Sequence, residues 1–137
     1  MKLTDTIEET VRWDDPGVRS DDTLLTAIRL MAAGNVSGLL VRLNGEVLGI
    51  ITDWDIMHSV NNGYDPAETR VDKFMTACQA MLGRSIKSPC IQLDGSISIK
   101  DALRLMADQN VHHLMVTGGE GEVGLLSSLD LLRAACC

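Results

Sequence analysis

The sequence predicts an α+β protein built from two tandem repeats, each with the element order β-α-β-β-α. The first reason is an internal repeat, in which one constant offset carries Gly49 onto Gly124 and Asp55 onto Asp130 without a gap. The second is that each copy passes through strand-like and helix-like periodicity in the same order. One such repeat is too small to bury both its sheet and its helices. We therefore expect the two copies to pack sheet to sheet about a pseudo-twofold axis, with a crevice between them.

Local signals define the elements of the first repeat. Thr23 stands before an apolar helical face and is expected to cap a helix, which Gly34-Asn35 ends. Asn44-Gly45 is a hairpin signal between two apolar runs. After a first strand, the predicted elements are a helix over 23–33, strands over 38–43 and 46–52, and a second helix over 53–60.

The second repeat follows the same order. Its predicted elements are a strand over 90–93, a helix capped by Ser98 and ending at about Gln109, strands over 113–117 and 123–126, and a helix over 128–135. This divides the chain into a lead-in (1–17), a first repeat (18–63), a connection (64–88) and a second repeat (89–137). The connection is long for a bare loop, so we expect it to hold structure of its own around Val71 to Met75 and around Cys78 to Leu82.

Each repeat ends in the same turn, where an apolar strand passes into a helix. The first turn comprises Gly49, Thr52 and Asp55, and the second turn comprises Gly124, Ser127 and Asp130. The glycine permits a close approach by backbone or ligand. The hydroxyl and the unpaired amides at a helix start can hold an anion, and a carboxylate can accept hydrogen bonds from a sugar diol. The same residues also match a capping box, which needs no ligand, and the two roles are compatible.

Composition and charge exclude several classes of protein. The net charge of −7 argues against nucleic acid as the main partner, because binding to phosphates needs a basic face. No apolar run approaches the roughly 20 residues that span a bilayer, and the acidic N-terminus lacks an apolar signal region. The four cysteines have neither metal-site nor redox-motif spacing. The sequence thus predicts a cytoplasmic protein with reduced thiols, no metal site and no membrane contact.

The element order, the tandem copies and the two turns together resemble the CBS domain in its paired form, the Bateman module. The resemblance covers residues 18–133. Within it, the segment Val71-Asp72-Lys73-Phe74-Met75-Thr76 is similar to the link that commonly leads into the second domain, and Val111-His112-His113-Leu114-Met115-Val116 is similar to the strand that follows the first helix.

This resemblance implies a ligand and a set of contacts. CBS pairs usually bind adenosine derivatives in the crevice and regulate an attached or associated protein. By position, Asp55 and Asp130 would take the ribose hydroxyls, and Thr52 and Ser127 would lie near the phosphates. His112 matches a position that contacts phosphate in some members. The residues expected to enclose the base are Val18, Val36 and Ile50 in one copy and Leu93, Val111 and Leu125 in the other.

We therefore expect a stand-alone regulatory module that binds AMP, ADP or ATP, requires no cofactor, and signals to a partner protein. An enzyme is not expected, because no nucleophile has a base at a recognisable spacing. Two alternatives stay open: a ligand-free module for dimerisation and scaffolding, and a binder of S-adenosylmethionine. The 77–89 stretch is longer than the family's usual link and could shape or block one site.

A homodimer is also expected. Apolar helix faces that remain exposed on a small module are usually interfaces, and in the family such faces pair two modules. The residues predicted to form these faces are Leu30, Met31, Met57, Leu105, Met106 and Leu132.

Overall fold

The structure, a computed structural model, describes residues 3–13, 15–77 and 92–136. The chain forms two compact units. The first unit spans Pro16–Cys90 and contains the first repeat, whereas the second unit combines Met1–Asp15 with Ile91–Cys137 and contains the second repeat. The described residues include four α-helices and two sheets. The predicted α+β class with two repeats is confirmed.

The first unit is a four-stranded sheet with two helices. Its elements are β1 (Val18–Arg19), α1 (Leu24–Gly34), β2 (Gly38–Leu43), β3 (Glu46–Thr52), α2 (Asp53–Asn61), a 3-10 turn (Val71–Lys73) and β4 (Thr76–Ala77). The strands lie in the order β1-β2-β3-β4. The first pair is parallel and the other two pairs are antiparallel.

The ends of α1 follow from its sequence. The Thr23 side chain accepts a hydrogen bond from the Thr26 amide at 3.2 Å, so the predicted cap is present. Asn35 ends the helix in the left-handed conformation, with φ at 51°, a conformation that asparagine tolerates better than most residues. One side of the helix is buried in the core of the first unit, which consists of Val18, Leu24, Ala27, Met31, Leu39, Val41, Ile51, Ile56 and Val71.

The second unit repeats this arrangement with a three-stranded sheet. Its elements are β5 (Gln92–Asp94), α3 (Ile99–Gln109), β6 (His113–Thr117), β7 (Val123–Ser127) and α4 (Ser128–Cys136). The order is β5-β6-β7, with β5 parallel to β6 and β6 antiparallel to β7. Ser98 caps α3 by accepting a hydrogen bond from the Asp101 amide at 3.1 Å. Both hairpins and all four helices therefore begin within a residue or two of their predicted positions.

The N-terminal segment belongs to the second unit. It contains a 3-10 turn at Ile7–Glu9, and it forms isolated β-bridges from Thr6 to Ser98 and from Arg12 to Leu125. Ile7 is fully buried in the second unit's core. The sequence analysis treated these residues only as a lead-in, whereas in the structure they supply core and backbone pairing to the second repeat.

Some expectations need correction, and others cannot be compared with the structure. Cys136 is disulfide-bonded, so the prediction of reduced thiols is wrong for that residue. Met31 and Met106 are buried within their own units, because they lie on the core side of α1 and α3, and they do not contribute to an exposed face. The structure predicted around Cys78 to Leu82, and the start of the strand at Cys90, lie outside the described residues. No helix in the described part of the chain is both long and apolar enough to cross a membrane.

Candidate functional site

The first turn is a complete capping box at the start of α2. The Asp55 amide donates to Thr52 Oγ1 at 3.2 Å. In return, Asp55 Oδ2 accepts from the Thr52 amide at 2.9 Å and from the Thr52 hydroxyl at 3.0 Å. The capping role predicted for this pair is confirmed. The box holds the Asp55 carboxylate in a fixed, partly buried position at the end of β3.

The second turn has the same reciprocal bonds and one more partner. The Asp130 amide donates to Ser127 Oγ at 3.1 Å, and the Ser127 amide donates to Asp130 Oδ2 at 3.0 Å. The additional partner is Arg12, whose Nη2 lies 2.9 Å from Asp130 Oδ1 in a part-buried ion pair. The two carboxylates therefore share a backbone frame but differ in charge environment.

The pKa values of the two carboxyls move in opposite directions. Burial raises the pKa of Asp55, which outweighs the hydrogen bonds from the Thr52 amide and hydroxyl, and the neighbouring charge of Asp53 adds to the rise. Burial also acts to raise the pKa of Asp130. There the Ser127 amide and the Arg12 guanidinium outweigh it, so the pKa of Asp130 is lowered.

The two glycines make room for neighbouring backbone and side chains of their own units. A Cβ on Gly49 would overlap the carbonyl oxygen of Thr76, which lies on the adjacent strand β4. A Cβ on Gly124 would overlap the Val11 side chain and would lie 3.0 Å from the Arg12 carbonyl oxygen. The close approach expected at these positions is therefore made by the chain itself.

Arg12 was missed by the sequence analysis, although a signal for it exists. Thr76 pairs with Ile50 on β3, and Arg12 bridges Leu125 on β7. Ile50 and Leu125 are related by the repeat offset, so Arg12 is the structural counterpart of Thr76. The sequence also shows this relationship, at a second offset that is shorter than the one relating the two repeats.

That shorter offset aligns two segments of the chain. Ile7 and Val71 are both fully buried. Ile7 stands five residues before Arg12, and Val71 stands five residues before Thr76. The N-terminal segment is thus a variant of the link segment, with arginine in place of threonine.

His112 contributes to the second turn through its backbone. Its carbonyl oxygen accepts a hydrogen bond from the Ser128 amide at 2.8 Å, at the start of α4. In the first unit, the Ser37 carbonyl accepts from the Asp53 amide at 2.9 Å in the same way. The His112 side chain is exposed and immediately precedes β6. Its contact with a phosphate stays a prediction.

The apolar residues predicted to enclose a base are all at least half-buried. Val18 belongs to the core of the first unit, and Val36 packs against it. Leu93 and Val111 pack against the core of the second unit. Ile50 and Leu125, on β3 and β7, are buried. Each has a structural role in its own unit, and a role at a base stays a prediction.

A metal site has no support in the described part of the chain, where no group of three or more histidine, cysteine, aspartate or glutamate residues could hold an ion. The chemistry that the two turns offer is instead recognition. Each presents a fixed carboxylate and a hydroxyl at the start of a helix, which suits a ligand whose hydroxyls donate to the carboxylate and whose anionic group lies near the positive end of the helix dipole.

Comparison with known proteins identifies the repeats. The family model described as "CBS domain" matches residues 7–62 and 84–136. Among curated relatives, the uncharacterized protein MJ1404 of Methanocaldococcus jannaschii is 31% identical over 118 residues, covering 85% of this chain and 25% of its own length. The mitochondrial CBS domain-containing protein CBSX3 of Arabidopsis thaliana is 29% identical, covering 84% of this chain and 53% of its own. The chain thus spans between a quarter and about half of these relatives.

Solved structures show the same fold. A signal-transduction protein with CBS domains from Burkholderia ambifaria MC40-6, described as putative, is 28% identical, with a TM-score of 0.74, and the match covers 88% of this chain and 81% of that one. CBSX2, solved in complex with AMP, is 22% identical, with a TM-score of 0.68 and coverage of 96% of both chains.

Proposed function

We propose that this chain, which belongs to the CBS-domain family, is a regulatory module that binds an adenosine nucleotide and passes that signal to a partner protein. The ligand is AMP, ADP or ATP, and the module itself is not a catalyst. One observation carries the proposal. The first and second turns each hold a partly buried carboxylate in a fixed position beside a hydroxyl, at the start of a helix.

The roles of the residues follow from their chemistry. Asp55 and Asp130 accept hydrogen bonds from the ribose diol, as acidic residues do in dinucleotide-binding folds. Thr52 and Ser127 lie at the N-termini of α2 and α4, where the helix dipole favours an anion. The structure of CBSX2 with AMP supports the choice of ligand, since that protein shares the fold.

A second candidate function is a ligand-free module for dimerisation and scaffolding. It is favoured by the capping boxes, because a cap alone accounts for the threonine, the serine and both aspartates. An S-adenosylmethionine binder would use the same diol contacts without a phosphate. Binding experiments separate the three.

Calorimetric titration of the purified chain with AMP, ADP, ATP, adenosine and S-adenosylmethionine is the first test. Asp55→Ala and Asp130→Ala should each weaken nucleotide binding, the latter mainly at the second turn. Hydrogen bonds to charged groups contribute about 1.5–3 kcal/mol, which corresponds to a loss of affinity of roughly 10-fold to 100-fold. Asp101→Ala is the matched control, because Asp101 occupies the same helix position in α3 and belongs to neither turn. Binding that survives both turn substitutions in folded protein would leave only the capping role.

The same module is proposed to form a homodimer. Several apolar side chains on α2 and α4 are exposed, and they occur at helical spacing: Trp54, Met57 and Val60 on α2, and Leu129 and Leu132 on α4. Leu30 on α1 is exposed to a smaller degree. Apolar surface of this kind is typical of interfaces.

A cytoplasmic location also stays a prediction, and the relative CBSX3 is described as mitochondrial.

A further inference from the structure

Arg12 distinguishes the second turn from the first. The backbone of Arg12 is fixed beside β7, because its amide donates to the Leu125 carbonyl at 3.0 Å and its carbonyl accepts from the Leu125 amide at 3.3 Å. Its side chain therefore reaches the turn from a rigid base. In the first unit the corresponding residue is Thr76, which is uncharged. Of the ion pairs found among the described residues, none involves Asp55.

The ion pair occupies one particular oxygen of Asp130. Arg12 donates to Oδ1, whereas Oδ2 accepts from the Ser127 amide within the capping box. A carboxylate oxygen can accept two hydrogen bonds, as Asp55 Oδ2 does. A ribose diol that binds Asp130 at Oδ1 therefore shares that oxygen with Arg12 and lies beside the guanidinium, which can adjust its position at the end of a long side chain.

We propose that Arg12 makes the second turn selective for ligands that carry an anionic group beside their diol. This inference rests on the proposed function and deepens it. The ion pair places the guanidinium beside the oxygen that the diol would use. A phosphate attached to the same ribose can bind the nitrogens of that guanidinium, and arginine binds phosphate with paired hydrogen bonds.

Ligands without a phosphate should bind the second turn less well. Adenosine offers the diol but no anion, so it gains no contact with Arg12. S-adenosylmethionine brings a sulfonium cation near the guanidinium, which is an unfavourable approach of like charges.

The first turn lacks this device and should accept AMP and adenosine more evenly. The two turns would then report different things: one responds to adenosine compounds in general, and the other to their phosphorylated forms. The asymmetry arises from one residue in the N-terminal segment, not from the repeats themselves.

The test isolates the second turn in an Asp55→Ala background of the full chain. Calorimetry with AMP and with adenosine gives the ratio of their two affinities in this background, and again after adding Arg12→Gln. We expect Arg12→Gln to weaken AMP binding and to leave adenosine binding nearly unchanged, so that the ratio falls at least tenfold. Arg70→Gln is the matched control, since this substitution also removes one positive charge and one ion pair, the exposed pair between Arg70 and Asp72. That control should leave the ratio unchanged.

The converse substitution extends the test to the first turn. In an Asp130→Ala background, Thr76→Arg should raise the ratio of AMP to adenosine affinity. Circular dichroism checks that each variant is folded. A ratio that Arg12→Gln leaves unchanged, or equal losses for both ligands, overturns the inference while nucleotide binding itself stands. A wild-type chain that binds neither ligand overturns the proposed function and this inference together.

Discussion

Replacing each turn carboxylate by its isosteric amide should affect stability differently at the two turns. Asp130→Asn removes the charge that pairs with Arg12 and leaves a half-buried guanidinium beside a neutral amide. Asp55→Asn removes a charge whose burial is unfavourable, as its raised pKa indicates. It also keeps a carbonyl oxygen that can accept from Thr52. We therefore expect a clear loss of stability for the first substitution and almost none for the second.

The size of the loss follows from the burial of the ion pair. Exposed pairs contribute about 0–1 kcal/mol, and breaking a fully buried pair costs about 3–5 kcal/mol. The side chains of Arg12 and Asp130 are 29% and 13% exposed, which is between these two situations. We expect Asp130→Asn to cost about 1–2 kcal/mol and Asp55→Asn to change stability by less than about 0.5 kcal/mol.

Urea unfolding followed by circular dichroism measures both values, and a thermal scan should show a fall in Tm of about 4 °C per kcal/mol. The double variant Arg12→Gln, Asp130→Asn completes a mutant cycle. Its coupling energy should be about 1 kcal/mol, because the two residues are in direct contact. Equal losses for the two asparagine substitutions, or a coupling energy near zero, would refute the reasoning.

The pH dependence has opposite signs at the two turns. Because the folded pKa of Asp130 is lowered, its contribution is complete above the unfolded pKa of about 4 and is lost as the pH falls through the folded value. The advantage of wild type over Asp130→Asn should therefore shrink in acid. The folded pKa of Asp55 is raised, so its carboxylate lowers stability at neutral pH. Acidification through that pKa removes the penalty, and wild type should gain on Asp55→Asn.

Two further predictions concern the ligand and the assembly. If His112 contacts a phosphate, the affinity for AMP or ATP should rise as the pH falls from about 8 towards 6, and the affinity for adenosine should hardly change. Because a phosphate itself titrates near pH 6, the pH dependence is compared with that of His112→Ala. A pH dependence that survives this substitution removes His112 from the site. The protein should also have the mass of a dimer in light scattering. Met57→Glu together with Leu132→Glu should reduce the mass to that of one chain, because both place charges on the apolar helix faces. A one-chain mass for wild type across a tenfold range of concentration contradicts the dimer.

Most of the fold could be predicted because its signals are local. Thr23 and Ser98 mark helix starts through their own hydroxyls, and Asn44-Gly45 marks a hairpin. The tandem repeat then transferred each inference from one copy to the other. Element boundaries in the described residues accordingly differ from the predicted ones by only a residue or two.

The placement of the N-terminal segment could not be predicted in the same way. The pairing of Arg12 with Leu125 joins residues far apart in the chain, and nothing local in the sequence indicates it. The similarity of this segment to Val71–Lys73 and the following strand was present but ran at a different offset from the main repeat. The burial of Met31 and Met106 was misjudged for a related reason. The sequence shows which residues of a helix are apolar, but only the packing of the folded chain shows which of them face the core.

The N-terminal segment also has a consequence for the order in which the protein folds. During synthesis Ile7 and Val11 emerge before their partners, which lie beyond the whole of the first unit. Ile7, for example, donates from its amide to the Ile97 carbonyl at 3.0 Å. The first unit, which has its own core, can fold as soon as it has been made, since domains generally fold as units during translation. The second unit must wait until its last strand and helix have been made, and it then closes the loop that joins them to the N-terminal segment. In the interval Ile7 and Val11 lack the core in which they are buried in the folded protein.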